Sequence, residues 1–483
     1  MKDIYLSTQT TLIITLVVGA FFIALGYINL KKISDNKSHI IGDRNESVIS
    51  LTTSLSASAL GAWILFGPAS AATWGGIGAV IGYALGTAAP MLFLLNFGPK
   101  IRREFPNGMS LTEFVKRRFG TGILKIILIL ILFYLTIFLI AEITAIAFLL
   151  NLISKTPLWI TSGLTLIMCL LYILRGGFKL SIITDKYQFI IVLSIILFSI
   201  FYILGNLEIS SYELIKKNSA KLISKNYIPN YTAGLTFFIA VAATNLFHQG
   251  NWQRVFAARN NLILKKSLIY SSIISFLIVL WMGYTGLISF SLDPKIKPDL
   301  AFFELMLLND NVLIIVLILI LALALTLSTI DTLINAISSL IIINGKEINK
   351  IFSGREVKEK CNKFILLLCA IVFIFASKGY SILYLFLFAD LLCCAAVVTI
   401  FYGFFKKKID TRLSSVSIIL GLSSGLLFFP SQNFQSSLLV GNIMSVEHFS
   451  SIISSNLLFI SFIVAIIVPL VIITSYSLRN SLR

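Results

Sequence analysis

The sequence predicts an all-α membrane protein with about 13 transmembrane helices. Hydrophobic residues make up 57% of its 483 positions and charged residues only 12%, against about a quarter charged in an average soluble domain. The mean hydropathy of +0.94 agrees with this composition. Apolar runs of the roughly 20 residues needed to cross a bilayer recur along the chain. The runs are continuous and do not alternate apolar with polar residues, which favours helices over a β-barrel.

Apolar runs and charged breaks place the predicted spans in order. The first apolar run is too long for a signal peptide and lacks a small-residue cleavage site, so it is expected to stay as a span. A short amphipathic stretch at 111–119 is expected to lie in the membrane interface. The thirteen spans lie near residues 8–29, 48–71, 75–97, 123–153, 157–174, 182–205, 231–253, 267–290, 311–343, 364–377, 381–405, 413–430 and 451–476.

The basic residues test this order, because cytoplasmic loops carry an excess of Lys and Arg. Of the 39 basic residues, 28 fall in one alternate set of loops and nine in the other. The N-terminus is therefore predicted outside and the C-terminus in the cytoplasm, with the protein in the cell membrane. The net charge of +18 is accounted for by these short loops, so a nucleic-acid partner is not expected.

The sequence offers little support for other classes of protein. The five cysteines lie in or beside apolar segments without metal-ligand spacing, so neither disulfides nor a structural metal is expected. No nucleophile, His and acid converge at one depth, so no catalytic residues and no enzyme are predicted. No repeated filter segment indicates a channel.

The second span contains small and hydroxyl residues from Ser54 to Ala62, followed by Gly67 and Pro68. A helix can unwind in such a sequence and expose carbonyls that hold a cation. Alternatively, the small residues only permit close helix packing. The packing interpretation fits the glycines of the third span better, which are Gly78, Gly82 and Gly86.

The ninth span carries a polar stripe that cannot face lipid cheaply. Its members are Ser328, Asp331, Thr332 and Asn335. Hydroxyl and carbonyl oxygens suit a small hard cation, so Ser328, Thr329 and the carbonyls of the second span could bind Na⁺. The alternative is hydrogen bonding between helices.

Other polar groups interrupt the remaining spans. Asp185 and Lys186 near an inner edge could be a solvated interfacial pair or a functional pair. The dense polar run at 245–254 must face a cavity or the cytoplasm. Glu142 and Asp390 are isolated carboxylates at predicted mid-depth, so each needs a partner.

In these motifs the sequence resembles the sodium/solute symporters, a family whose members carry proline, pantothenate, sialic acid, sugars and urea-like solutes. The resemblance covers about residues 40–410. Its four motifs occur in order at 111–120, 176–188, 253–259 and 328–332.

The resemblance implies a LeuT-type core of two inverted five-helix repeats, at 47–206 and 207–410. An N-terminal extra span and cytoplasmic loop, 1–46, would precede the core, and two C-terminal spans, 411–483, would follow it. The implied sodium ligands are the carbonyls of Ala57, Leu60 and Leu325 and the hydroxyls of Ser328 and Thr329. Asp185 and Asp331 are implied at the sodium exit or at a second cation.

By the same resemblance, the solute lies between broken second and seventh spans. Ala59 stands where proline carriers have an aspartate, and Gly250 where sugar carriers have a gating tyrosine, so kinship with either subgroup is not expected. The candidates for solute contact or gating are Trp63, Glu142, His248, Gln249, Asn251 and Trp252.

The predicted function is sodium-coupled import of a small polar solute, an amino acid, amine or urea-like compound, by alternating access. Glu142 and Asp390 favour a solute with an amine, amide or urea-like group. Proton coupling through Asp331 and His248 is an alternative. A sensor or receptor on the same scaffold is another, and the short tail after Tyr476 argues against it. The expected partners are the solute, Na⁺ and the lipid bilayer, and the oligomeric state stays open.

Overall fold

The computed structural model describes residues 5–29, 40–309, 311–348, 357–406, 410–432, 434, 436–439 and 456–481. The regular elements in these ranges are helices, with short 3₁₀ turns at Ala62–Leu65, Ala220–Ile223 and Pro298–Leu300. In chain order the α-helices are α1 (Thr8–Asn29), α2 (Val48–Ala59), α3 (Gly67–Glu104), α4 (Leu111–Ser154), α5 (Leu158–Gly205), α6 (Ser211–Asn218), α7 (Ile228–Phe247), α8 (Gln249–Ala257), α9 (Asn261–Leu292), α10 (Ala301–Met306), α11 (Val312–Ile348), α12 (Val357–Ala376), α13 (Ile382–Tyr402), α14 (Thr411–Phe428) and α15 (Leu457–Ser481).

Nine helices in the described ranges are long and apolar enough to cross a membrane. They are α1, α3, α4, the part of α5 from Gly176 to Gly205, α9, α11, α13, α14 and most of α15. A multi-pass all-helical membrane protein is thereby confirmed, whereas the number thirteen stays a prediction. The predicted last span starts at 451, and its residues 451–455 lie outside the description.

Three of the long helices turn sharply at a glycine. Gly76 in α3, Gly120 in α4 and Gly177 in α5 have φ of 60°, 81° and 55°, a left-handed conformation that costs glycine little. The sequence predicts loops of several residues between spans two and three and between spans five and six. In the structure one glycine makes each turn, because a single left-handed residue redirects the chain. Gly120 likewise separates the amphipathic stretch 111–119 from the rest of α4.

Two helices are broken where the sequence indicates interruptions. After α2 ends at Ala59, Leu60 and Gly61 are not helical, and a 3₁₀ turn leads to α3. Between α7 and α8, His248 adopts an extended conformation with ψ of 109°. Both breaks expose backbone groups that a continuous helix would satisfy internally.

The part of α3 that corresponds to the predicted third span packs closely on α7 through its glycines. A Cβ added to Gly78 or Gly82 would overlap the backbone of Asn230 or Gly234 on α7. The packing interpretation of these glycines is therefore confirmed.

Helix α11 lies at the centre of the bundle, and 78% of its most apolar stretch is buried. It contacts α2, α4, α5 and α8, while α13 contacts α4 and α7. These helices surround the break after α2.

Candidate functional site

At the break after α2, a buried carboxylate contacts a backbone N–H group that has no partner within a helix. The N–H of Ala62 donates to Glu142 Oε2 at 2.8 Å, whereas in a continuous helix it would donate to the carbonyl of Ser58. Glu142 is fully buried on α4, and its Oε1 accepts no hydrogen bond from the part of the chain described. A Cβ on Gly61 would overlap this Oε1 and would lie 2.9 Å from Thr329 Oγ1. Glu142 and Thr329 therefore meet at the break.

A small cavity of about 40 Å³ lies beside this meeting point. Two carboxylates line it, Glu142 from α4 and Asp390 from α13. Asp390 Oδ1 accepts a hydrogen bond of 2.7 Å from the Thr244 hydroxyl. Neither carboxylate forms an ion pair within the described ranges, unlike Asp185, another buried acid of this region.

Aromatic rings form much of the remaining wall. Trp63 stacks on Tyr83 at 5.7 Å between ring centroids, and Phe138 meets Phe386 edge to face at 4.8 Å. All four side chains line the cavity. Aromatic rings combined with carboxylates favour organic cations, because ring faces attract positive charge and also cover alkyl groups.

His248 reaches the same cavity from the break between α7 and α8. Its Nδ1 accepts a hydrogen bond of 3.1 Å from the N–H of Gly250, which caps α8. A neutral imidazole with this bond carries its proton on Nε2.

The other three solute candidates are directed at backbone carbonyls. Gln249 donates to Met109 at 3.0 Å, and Asn251 and Trp252 donate to Asn245 and Leu246 in the last turn of α7 at 2.9 and 2.8 Å. Asn251 and Trp252 thereby satisfy carbonyls that the break leaves without helical donors, whereas Gln249 connects α8 to the segment before α4. None of the three lines the cavity, and their role in solute contact stays a prediction.

The predicted sodium ligands are buried and bonded to one another or to near neighbours. The carbonyl of Ala57 accepts from the N–H of Leu60 at 3.3 Å, and that of Leu325 accepts from the Thr329 hydroxyl at 3.0 Å. The candidate ligand atoms are hard oxygens, the type of ligand that Na⁺ prefers. Thr329 also lines the cavity, so the two candidate sites share a residue.

The second hydroxyl of this set belongs to Ser328, which donates to Asp185 Oδ1 at 2.6 Å. Asp185 Oδ2 accepts from Ser54 at 2.5 Å and from Arg254 Nη2 at 2.8 Å. Asp185 and Arg254 are both buried, with side-chain exposures of 0% and 1%. A buried ion pair therefore connects α2, α5, α8 and α11.

The structure decides between the two interpretations of Asp185 and Lys186 and corrects the placement of Arg254. Asp185 is buried while Lys186 is exposed, so the two do not form a solvated interfacial pair. The predicted seventh span ends at 253 and leaves Arg254 in a predicted cytoplasmic loop, but its guanidinium donates to Gly250, Ser54 and Asp185 inside the protein. An arginine in the interior must be paired in this way.

Asp331 lies two residues beyond Thr329, the last of the sodium candidates on α11. Its Oδ1 accepts from the Ser181 hydroxyl at 2.7 Å, and its Oδ2 from Thr184 at 3.3 Å. The carboxylate is thus bound to α5 through hydroxyl groups.

Sequence reasoning missed the aromatic side of the cavity, namely Tyr83, Phe138 and Phe386. Apolar and aromatic residues fill the spans, so type and spacing give no signal for those that face a cavity. Arg254 carried a signal, because it follows directly on the dense polar run at 245–253.

Comparison with known proteins gives one family match and several similar proteins. The sequence model of the sodium:solute symporter family matches residues 39–421. The spermidine transporter DUR31 of Candida albicans is 25% identical over 431 residues, which are 86% of this chain and 80% of that protein.

Two solved structures are similar in fold. A Na⁺-coupled sialic acid symporter, in a substrate-bound outward-open state, has a TM-score of 0.73 at 15% identity, with 96% of each chain covered. Mhp1, a nucleobase-cation-symport-1 family transporter in a closed conformation with bromovinylhydantoin bound, has a TM-score of 0.51 at 13% identity. The alignment covers 92% of this chain and 97% of Mhp1.

Proposed function

The chain belongs to the sodium:solute symporter family, so it is a membrane transport protein and not an enzyme, and we propose that it imports an organic amine together with Na⁺. The observation that carries this proposal is the pair of buried carboxylates, Glu142 and Asp390, which line one aromatic cavity without forming ion pairs in the described ranges. Carboxylates at membrane depth need a compensating charge. A protonated amine supplies it.

The relative from Candida albicans supports the same solute class, since it is named as a spermidine transporter. Spermidine combines ammonium groups with short alkyl segments. Two carboxylates and stacked rings match both features in their chemistry, because carboxylates pair with ammonium groups and rings cover methylenes. The cavity of about 40 Å³ has to widen to admit the whole molecule, as the opening step of a transport cycle would allow. Glu142, Asp390, Trp63 and His248 are the proposed contacts.

Sodium is the proposed coupling ion, and the break after α2 together with α11 is its proposed site. The ligands would be the carbonyls of Ala57, Leu60 and Leu325 with the hydroxyls of Ser328 and Thr329. Thr329 contacts both the cavity and this site, so solute and Na⁺ would stabilise one another. Two inverted repeats of five helices within thirteen spans, and alternating access between them, complete the proposal.

Uptake of labelled spermidine into proteoliposomes tests it. Replacing external Na⁺ by Cs⁺ at fixed pH is expected to reduce initial uptake at least about tenfold, the loss expected when a charged ligand contributes about 1.4 kcal/mol or more. Cs⁺ is preferable to choline, because choline is itself an organic cation and could compete for the cavity. Uptake that persists in Cs⁺ and follows an imposed pH gradient would instead support proton coupling.

A second experiment tests where Na⁺ binds. Ser328→Ala is expected to raise the Na⁺ concentration for half-maximal uptake several-fold, because one oxygen ligand is lost. Ser339→Ala is the matched control, since the Ser339 hydroxyl bonds to the Ala336 carbonyl of its own helix. Equal Na⁺ dependence of the two variants would contradict this site.

A further inference from the structure

A second, basic pocket lies away from the cavity, at the ends of α3 and α8 and the start of α9. Its volume is about 340 Å³, and three arginines line it, Arg44, Arg102 and Arg103. Phe256, Asn260 and Asn261 contribute to the wall, whereas no carboxylate lines the pocket in the described chain. Three cationic side chains in one concave site form a region of positive potential.

Two of these guanidinium groups are held in place by the fold. Arg102 donates to the carbonyls of Val255 and Ala258 at 3.1 and 2.6 Å. Arg44 donates to the carbonyls of Pro106 and Gly108 and lies 6.0 Å from the ring centre of Phe256. Each guanidinium has five N–H donors, so donors beyond these two bonds are left on each.

The third arginine is available to a ligand. Arg103 is exposed, and no ion pair or hydrogen bond of its side chain is seen among the described residues. Glu113 is the carboxylate that interacts electrostatically with Arg44, and it does not line the pocket. Glu113 accepts from the N–H groups of Met109 and Ser110 at 2.5 and 3.0 Å, so its charge is already stabilised at the start of α4.

The backbone contributes in the same direction as the arginines. The start of the 32-residue helix α9 is only partly satisfied by Asn260, whose side chain accepts from the N–H of Ile263 at 2.9 Å and whose carbonyl accepts from the N–H of Leu264. The N–H groups of Asn261 and Leu262 have no partner within the helix. Asn260 and Asn261 line the pocket, so the positive end of the helix faces it. Arginine forks and a helix N-terminus are the two main devices with which proteins bind phosphate groups.

The surroundings favour a lipid as the source of the phosphate. Leu262, next to Asn261, has 64% of its surface exposed, so an apolar side chain is ready to contact an acyl chain beside the basic pocket. The loop charges predict this face to be cytoplasmic, where anionic lipids concentrate and basic pockets between helices bind their headgroups.

We propose that the pocket formed by Arg44, Arg102 and Arg103 at the start of α9 binds the phosphate group of an anionic phospholipid. The site is separate from the transport cavity, and its occupation would fix the α3–α4 loop and α8 against α9.

Thermal unfolding of the full-length protein in detergent tests the proposal. Dioctanoyl phosphatidylglycerol is expected to raise the Tm in a saturable manner, and dioctanoyl phosphatidylcholine is not. In Arg103→Gln the apparent affinity for phosphatidylglycerol is expected to fall about fivefold, the effect of one arginine near an anionic headgroup. Arg103 suits this test because it is exposed and no hydrogen bond or ion pair of its side chain is seen in the described fold.

Lys266→Gln is the matched control, since Lys266 is an exposed cation in the second turn of α9 and does not line the pocket. Its response to phosphatidylglycerol is expected to equal that of the unaltered protein. Equal responses of Arg103→Gln and Lys266→Gln, or equal Tm shifts with the two lipids, would overturn the proposal. Inorganic phosphate is added as a third arm. A shift with phosphate that matches the lipid shift and depends on Arg103 would overturn the lipid assignment and identify a soluble anion.

Discussion

Buried carboxylates in this protein fall into two groups according to what compensates their charge. Asp185 is paired with Arg254 and accepts from two serines, so its cost of burial is met inside the protein. Glu142 and Asp390 have hydrogen bonds from Ala62 and Thr244 but no ion pair in the described chain. We therefore assign Asp185 to the scaffold and propose that the other two pair with a cationic solute.

Glu142→Gln tests this distinction. The substitution keeps an oxygen that can accept from the N–H of Ala62 but removes the charge. Uptake of spermidine is expected to fall about ten- to hundredfold, because a hydrogen bond to a charged group contributes about 1.5–3 kcal/mol. Initial rates in proteoliposomes measure it. Glu347→Gln, which loses only a partly exposed pair with Lys116, serves as the control. Unchanged uptake in Glu142→Gln would rule out an ionic role.

Arg254→Met tests the scaffold pair. The variant leaves Asp185 buried without its cation, and the expected cost is about 3–5 kcal/mol of unfolding free energy, seen as a large drop in Tm in detergent. The double variant Arg254→Met with Asp185→Asn removes both charges. It is expected to be more stable than the sum of the two single effects predicts.

Lys363→Met provides a reference for that measurement, because Lys363 pairs with Glu359 on the surface at 74% and 66% exposure. Such an exposed pair contributes little to stability, because water and salt screen it. Additive losses in the double variant would show that Asp185 and Arg254 do not act as a pair.

Among the helices, α2 and α7 resemble each other in being broken, and in both cases side chains from elsewhere satisfy the open ends. Glu142 accepts from the break after α2, and Asn251 and Trp252 donate to the last turn of α7. A broken helix inside a membrane is stable only where protein or a water-filled cavity satisfies its backbone. The breaks are therefore fixed positions in the bundle, and the cavity lies between them.

Gly82→Ala tests the close contact of α3 and α7. The new Cβ would overlap the backbone of Gly234, so the helices must separate, and the Tm is expected to fall clearly. Gly205→Ala is the same substitution at a helical glycine where a Cβ would have nothing within 4 Å, and its Tm is expected to stay the same or rise slightly. Similar Tm values for the two variants would contradict the packing role of Gly82.

For the whole molecule, membrane orientation is the property that connects the two proposed binding sites to their compartments. The excess of Lys and Arg in alternate loops predicts the N-terminus outside. Arg254 no longer counts toward this excess, because it is buried in the protein. The remaining basic residues of its loop still favour the cytoplasmic side.

Cysteine labelling in cells tests this orientation. Lys295→Cys is expected to react with a membrane-impermeant maleimide in intact cells, whereas Lys265→Cys is expected to react only after permeabilisation. Both positions are exposed in the structure, and the five native cysteines are buried, so background labelling should be low. The reverse order of reactivity would invert the predicted topology and place the basic pocket outside.

The sequence by itself determined the class of the molecule and the places where its helices are interrupted. Hydropathy and helix breaking are local properties, so the residues at 54–62 indicate a helix that can unwind without knowledge of their neighbours. The polar run at 245–254 indicates a cavity or the cytoplasm in the same way, and the break within it was implied by the family resemblance. The same reasoning identified the hydroxyl groups of α11 and the two isolated carboxylates.

Only the tertiary structure decided which of these groups meet. Thr244 and Asp390 are 146 residues apart, and Arg254 and Asp185 are 69 apart, so no spacing rule could pair them. In an apolar helix every face looks alike in the sequence, which hid Tyr83 and Phe386 among many lipid-facing and core aromatics. Packing fixes the rotation of each helix about its axis. That rotation places Glu142 and Asp390 at the cavity and Asp185 in its ion pair with Arg254.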